Sequence, residues 1–139
     1  MIVLDTNVLS EISKADPDPA VDRWLLLQEP TEVFTTSITQ AEMLAGIERL
    51  PAGRRKAGLL AGTEKMLAEQ FAGRVLPFDQ EAAVLFSKIL VGRQKIGRPM
   101  SELDAMIAAI ARSRGAPLAT RNIRDFQNCG VRLIDPWTR

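Results

Sequence analysis

Met1-Ile2-Val3-Leu4-Asp5-Thr6-Asn7 is the stretch on which the fold turns. Ile2, Val3 and Leu4 are consecutive apolar residues, the pattern of a strand buried on both faces, as in parallel sheets covered by helices. The run is far too short to cross a membrane. It drives straight into a carboxylate at Asp5 and then two hydrogen-bonding residues, Thr6 and Asn7. A carboxylate at the mouth of a buried strand is costly to desolvate unless a cation meets it.

Outward from this strand, the chain alternates. Val8 and Ile12 begin a short helix, and Asp18-Pro19 is a second helix entry with Val21, Trp24 and Leu25 on its inner face. Residues 32–37 read as a strand, followed by a helix with Met43, Leu44, Ile47 and Leu50 on one side and a stop at Pro51. Leu60, Met66, Leu67 and Phe71 mark another helix, ended by Gly73, before a strand at 74–78. Asp79 caps a long helix carrying Ala82, Phe86, Ile89, Leu90 and Ile96. Ser101 caps the next, with Leu103, Met106, Ile107 and Ile110 inward and Gly115 closing it. Strands at 117–120 and 131–135 complete the series. This alternation predicts an α/β three-layer sandwich, a central, mainly parallel sheet flanked by helices, with residues 1–139 as one domain.

Composition narrows the chemistry. The 139 residues are 46% hydrophobic and 25% charged, the balance of an ordinary globular chain. There is no histidine and no tyrosine, and Cys129 is the single cysteine. Ser-His-Asp and Cys-His nucleophiles, histidine metal sites and thiolate zinc cages are thereby excluded. Acid–base or metal chemistry must rest on carboxylates. The N-terminus lacks a signal-peptide pattern and no disulfide can form within the chain, so the expected location is cytoplasmic, with no membrane partner. A formal charge of +1 gives no global attraction to nucleic acid. Gly53-Arg54-Arg55-Lys56 and the set Arg93, Lys95, Arg98 are local basic clusters, a pattern that is more often a solvated helix face than a nucleic-acid contact.

In an open parallel sheet the functional crevice lies outside the C-terminal strand ends, where strand order reverses. Asp5 follows the first strand, and Asp125 follows the strand at 117–120 by the turn Arg121-Asn122-Ile123-Arg124. Glu42 and Asp104 come from helix starts. All four can share one pocket. Thr39 to Glu42 and Ser101 to Asp104 also match the capping box, Asp5 can cap the first helix, and Asp125 can pair with Arg121. What capping does not resolve is the cost of Asp5, which a lysine or arginine would remove and which one divalent ion would remove for several acids at once. Hard oxygen ligands without histidine suit Mg²⁺ or Mn²⁺.

At these residues the chain resembles the PIN-domain ribonucleases, in particular the toxins of bacterial VapBC-type toxin–antitoxin pairs, including the FitB-like branch. The resemblance is carried by MIVLDTNVLSE (1–11), SITQAEMLAGIERL (37–50), ELDAMIAAIARSRGAPLATRNIRDF (102–126) and GVRLIDPW (130–137). It implies a PIN-like sandwich and a catalytic set of Asp5, Glu42, Asp104 and Asp125, with Asp5 and Asp104 holding Mg²⁺ or Mn²⁺. Thr6 or Asn7 would orient Asp5 or the metal's water, and Thr120 would be a hydroxyl near the site. The fourth acidic position falls to Asp125 or to Asn122, where some relatives carry aspartate. The resemblance further implies an RNA substrate, a homodimer, a cognate antitoxin that blocks the site, and contact with DNA only through that antitoxin. With few aromatic residues for base stacking, RNA contacts should rest on phosphates and on Arg93, Arg112 and Arg121.

Two other readings compete. A phosphotransferase attacking through Asp5 is open, although the haloacid-dehalogenase pattern wants an aspartate where this chain has Asn7. A non-catalytic binding module would use Met43, Leu44, Ile47 and Leu50, or Trp24, to hold a partner such as the antitoxin.

Overall fold

Strand β1 (Ile2–Leu4) is buried along its whole length and lies in the middle of a five-stranded sheet. The computed structural model describes residues 1–138. The other strands are β2 (Val33–Thr36), β3 (Val75–Leu76), β4 (Leu118–Ala119) and β5 (Leu133–Ile134), in the order β3-β2-β1-β4-β5. Every pairing is parallel. The chain moves to one side of β1 for β2 and β3 and to the other for β4 and β5. Strand order therefore reverses between β1 and β4, where a crevice opens beyond the strand ends.

Among the described residues seven α-helices flank the sheet: α1 (Thr6–Ile12), α2 (Pro19–Leu26), α3 (Ser37–Glu48), α4 (Arg54–Lys65), α5 (Gln80–Lys95), α6 (Glu102–Ser113) and α7 (Ile123–Phe126). The period-2 alternation of a strand divides β1 between two cores. Val3 packs with Leu118, Ile89, Ile107 and Ile110 under α5 and α6. Ile2 and Leu4 point the other way, to Val8, Leu9, Met66 and Phe71. This is the expected three-layer sandwich, and the sheet is wholly parallel. Among the described residues no helix is long and apolar enough to cross a membrane.

Helix starts follow the side chains. Asp18, Asp79 and Ser101 each accept a backbone N–H from the first turn they cap. Four local expectations need correction. Strand β2 runs directly into α3, so the cap is Thr36, which accepts the Thr39 N–H at 3.0 Å. Glu42 thus lies beyond the capping turn. Leu103 and Ile96 are exposed rather than inward. Leu103 is in the first turn of α6, where side chains lean back past the packed part of the helix, and Ile96 is already at the cap of α5. The buried face of α6 includes the alanines Ala105, Ala108, Ala109 and Ala111, all fully buried. The segment after β4 is the short helix α7 rather than a plain turn, anchored by buried Phe126. Finally, α4 ends in a π-helical segment, Met66–Gln70, whose wider turn puts Met66, Leu67 and Phe71 into the core.

Candidate active site

The parallel register pairs Leu4 with Ala119, so the next residues, Asp5 and Thr120, emerge side by side at the reversal of strand order. Both are buried. Asp5 Oδ1 accepts the Val8 N–H at 3.0 Å, capping α1, and Oδ2 accepts the Thr120 hydroxyl at 2.6 Å. The Thr120 oxygen in turn accepts the Asn122 N–H at 3.0 Å. Each oxygen of Asp5 is therefore aimed by a partner anchored in secondary structure. Capping is part of Asp5's role and leaves its charge without a cation. Burial pushes its carboxyl up to about 6, the nearby Asp104 charge pushes the same way, and the bonds from Thr120 and Val8 hold it back.

Glu42, half-buried on α3, accepts the Thr6 hydroxyl at 2.6 Å. That hydroxyl also lies 3.2 Å from Thr39 Oγ1. With one proton to give, Thr6 gives it to the carboxylate, which can only accept. Thr39 is fully buried and 3.3 Å from Thr36 Oγ1, so a line of three hydroxyls leads from the end of β2 to Glu42. Of the two residues expected to orient Asp5 or the metal's water, Thr6 bonds Glu42. Asn7 is exposed, and its backbone N–H supports the Asp5 carboxylate.

Asp104 stands in the first turn of α6, half-buried, with its N–H bonded to Ser101 Oγ at 3.1 Å. Its carboxyl is raised by burial and by repulsion from Glu42 and Asp125, while Ser101 and the Arg93 charge lower it. Asp125 lies on α7, exposed, and among the described residues it forms no ion pair with Arg121 or any other cation. The four acids thus share one electrostatic field across β1, α3, α6 and α7. Among the described residues no three of them stand close enough to form a finished metal cage. The donor set of carboxylates and hydroxyls nonetheless fits a hard divalent cation, and a buried Asp5 within the field of Asp104 lacks the counter-charge such an ion brings.

The PIN domain family profile matches residues 2–130. This chain belongs to the PIN-domain family. It is 38% identical over 137 residues to VapC ribonuclease Y4jK of Sinorhizobium fredii, covering 99% of this chain and 98% of that one. It is 34% identical to Toxin FitB of Neisseria gonorrhoeae over 99% of each chain. The structure of FitAB bound to an IR36 DNA fragment superposes with a TM-score of 0.92 at 34% identity, covering 100% of this chain and 97% of that one.

Around this PIN-domain site the three arginines expected to meet phosphate part company. Arg121 is exposed directly after Thr120, its guanidinium 4.9 Å above the Trp137 ring. Arg112 is exposed but eight residues along α6 from Asp104, about 12 Å at 1.5 Å per residue, and lies against Gly130. Arg93 is buried at 5% exposure, with Nε and one terminal nitrogen bonded to backbone carbonyls, which leaves little of the guanidinium for a phosphate. The burial of Arg93 is not legible in the sequence, because a lone arginine near a helix end carries no mark of which way it faces. Thr36 has no role in the reading of the sequence, which takes Thr39 as the helix cap rather than as a link between Thr36 and Thr6. The only signal was the run of hydroxyls in Thr35-Thr36-Ser37-Ile38-Thr39, which strand propensity and capping already explained. A cleft of about 700 Å³ opens from Thr6 and Glu42 between α1, α3 and α4, walled by Met43, Ile47, Leu59 and Met66.

Proposed function

We propose that this PIN domain is a divalent-metal-dependent endoribonuclease acting as the toxin of a VapBC-type toxin–antitoxin pair. One observation carries the reading: four oxygen-only acids from four separate elements share a field at the reversal of strand order, and among the described residues none of them is in an ion pair. The names of the relatives, a ribonuclease and a toxin, support it.

In this reading Asp5 and Asp104 hold Mg²⁺ or Mn²⁺, and Glu42 and Asp125 complete the acidic set. When bound, such an ion supplies an acidified water and stabilises negative charge on phosphoryl oxygens. The protein's part is positioning. Thr120 keeps Asp5 Oδ2 aimed, Thr6 does so for Glu42, and Asn7 and Asn122 form the polar rim. Arg121, steadied over Trp137, meets the RNA phosphate. The substrate is RNA in the cytoplasm, the chain works as a homodimer, and DNA is reached only through the antitoxin, in keeping with the DNA-bound FitAB relative.

A second reading has its own support. The cleft beside Glu42 is walled by Met43, Ile47 and Leu50, apolar residues that fit a partner's helix. A binding module without catalysis would need only this surface. The two readings join if an antitoxin segment fills the cleft and closes over the acids. RNA cleavage by the purified chain, with and without EDTA, separates them. Loss of cleavage in EDTA and in Asp5→Asn, with the fold retained, supports the nuclease. Full activity in chelator discards it, and no cleavage under any metal leaves the binding module.

A further inference from the structure

Arg93 is a buried cation with no ion pair among the described residues, which requires explanation because desolvating a guanidinium is expensive unless its donors are engaged. Its Nε donates to the Arg98 carbonyl at 2.6 Å, and one terminal nitrogen donates to the carbonyls of Asp125 and Gln127, both at 2.8 Å. The same nitrogen lies 3.7 Å from Met100 Sδ and 3.8 Å from Cys129 Sγ. These contacts fall on two segments distant in sequence: the turn from α5 into α6, three residues before the Ser101 cap and six before Asp104, and the chain through α7 that carries Asp125.

We propose that Arg93 is a positioning residue of the acidic site: by gripping the carbonyls of Arg98, Asp125 and Gln127, it fixes the segment bearing Asp125 against the segment that launches Asp104. The two acids then meet a shared cation at a set spacing. This inference rests on the metal-site reading above. It gives a reason for choosing arginine, since the planar guanidinium reaches in two directions at once, whereas a lysine ammonium is a single point on a flexible stem. Neutralising a neighbouring carboxylate by direct contact would have worked against metal binding. Arg93 instead bonds to carbonyls and sulfurs and, among the described residues, to no carboxylate, and its charge acts on Asp104 from a distance.

The test is calorimetric titration of the full chain with Mn²⁺, with steady-state RNA cleavage measured in parallel, on wild type, Arg93→Lys and Arg93→Met. Both variants are expected to bind Mn²⁺ more weakly, by roughly 10–100-fold, the range seen when supporting contacts around metal ligands are removed. The kcat falls with it, and KM for RNA stays near the wild-type value, because no phosphate contact is lost. A folded Arg93→Lys with wild-type Mn²⁺ affinity and kcat overturns the proposal, as does a rise in KM alone, which marks a phosphate contact. If Arg93→Met does not fold, Arg93→Lys decides. If wild type itself takes up no Mn²⁺, the metal-site reading fails and this inference fails with it, an outcome distinct from a loaded wild type with unaffected variants.

Discussion

Asp5 and Asp125 are opposite ways of placing an acid. Asp5 is buried at a strand end, with both oxygens held by the sheet and the first turn of α1. Asp125 is exposed on a four-residue helix, its backbone gripped from inside by Arg93 while its side chain faces water. The strand end fixes direction rigidly and charges heavily for desolvation. The short helix gives freedom at little electrostatic cost. The site is therefore built with one half preorganised and the other half adjustable, and the two halves should respond differently to substitution.

The largest contrast is in catalysis. Asp5→Asn should lower RNA cleavage by roughly 10²–10⁴-fold, the scale of several kcal/mol of metal-centred stabilisation. Asp125→Asn should cost about tenfold, since an exposed acid on a short helix is more easily replaced by water. Single-turnover cleavage at saturating Mn²⁺ measures both, and equal losses would erase the distinction.

Next is the pH dependence of stability without metal. The Asp5 carboxyl titrates at about 6 in the fold against 3.8 in the open chain. A raised acid binds its proton more tightly when folded, so its contribution is present below pH 3.8 and is lost as pH rises through about 6. At about 1.36 kcal/mol per pH unit the loss is about 3 kcal/mol. Urea unfolding in EDTA across this range should show it for wild type and Asp125→Asn but not for Asp5→Asn.

A smaller effect tests the support of the strand-end acid. Thr120→Val removes the 2.6 Å bond to Asp5, and should destabilise the metal-free protein by about 1.5–3 kcal/mol, as for a hydrogen bond to a charged group. Asn122→Ala, which keeps its backbone N–H bond to Thr120, should stay within about 0.5 kcal/mol of wild type in the same denaturation series.

The smallest effect lies at the rim. Arg121→Ala should raise KM for RNA while leaving kcat almost unchanged, and should reduce the salt dependence of binding by about one phosphate contact. A kcat loss in this variant would move Arg121 from the adjustable rim to the rigid centre.

The strand-end half was legible in the sequence and the helix half only in part. Ile2-Val3-Leu4 followed by Asp5 announces a buried strand and an acid at its exit, and Ser101, Asp79 and Asp18 announce helix starts, because these signals are local. Glu42 was found, but with a capping partner at Thr39 that the structure replaces by Thr36, since strand and helix meet without a loop. Arg93 and Arg121 look alike as letters. One is buried against carbonyls and the other stands over Trp137. Nothing within a few residues of either encodes that difference.

By itself the sequence determined the alternation of strands and helices, the oxygen-only character of any metal site, and the acid at the end of β1. These follow from periodicity, composition and capping, which act over a few residues. Only the tertiary structure decided that Thr120 and not Thr6 aims Asp5, that Thr6 serves Glu42, and that Arg93 faces inward. Those assignments depend on strand register and helix rotation, and both are set by packing between segments far apart in the chain.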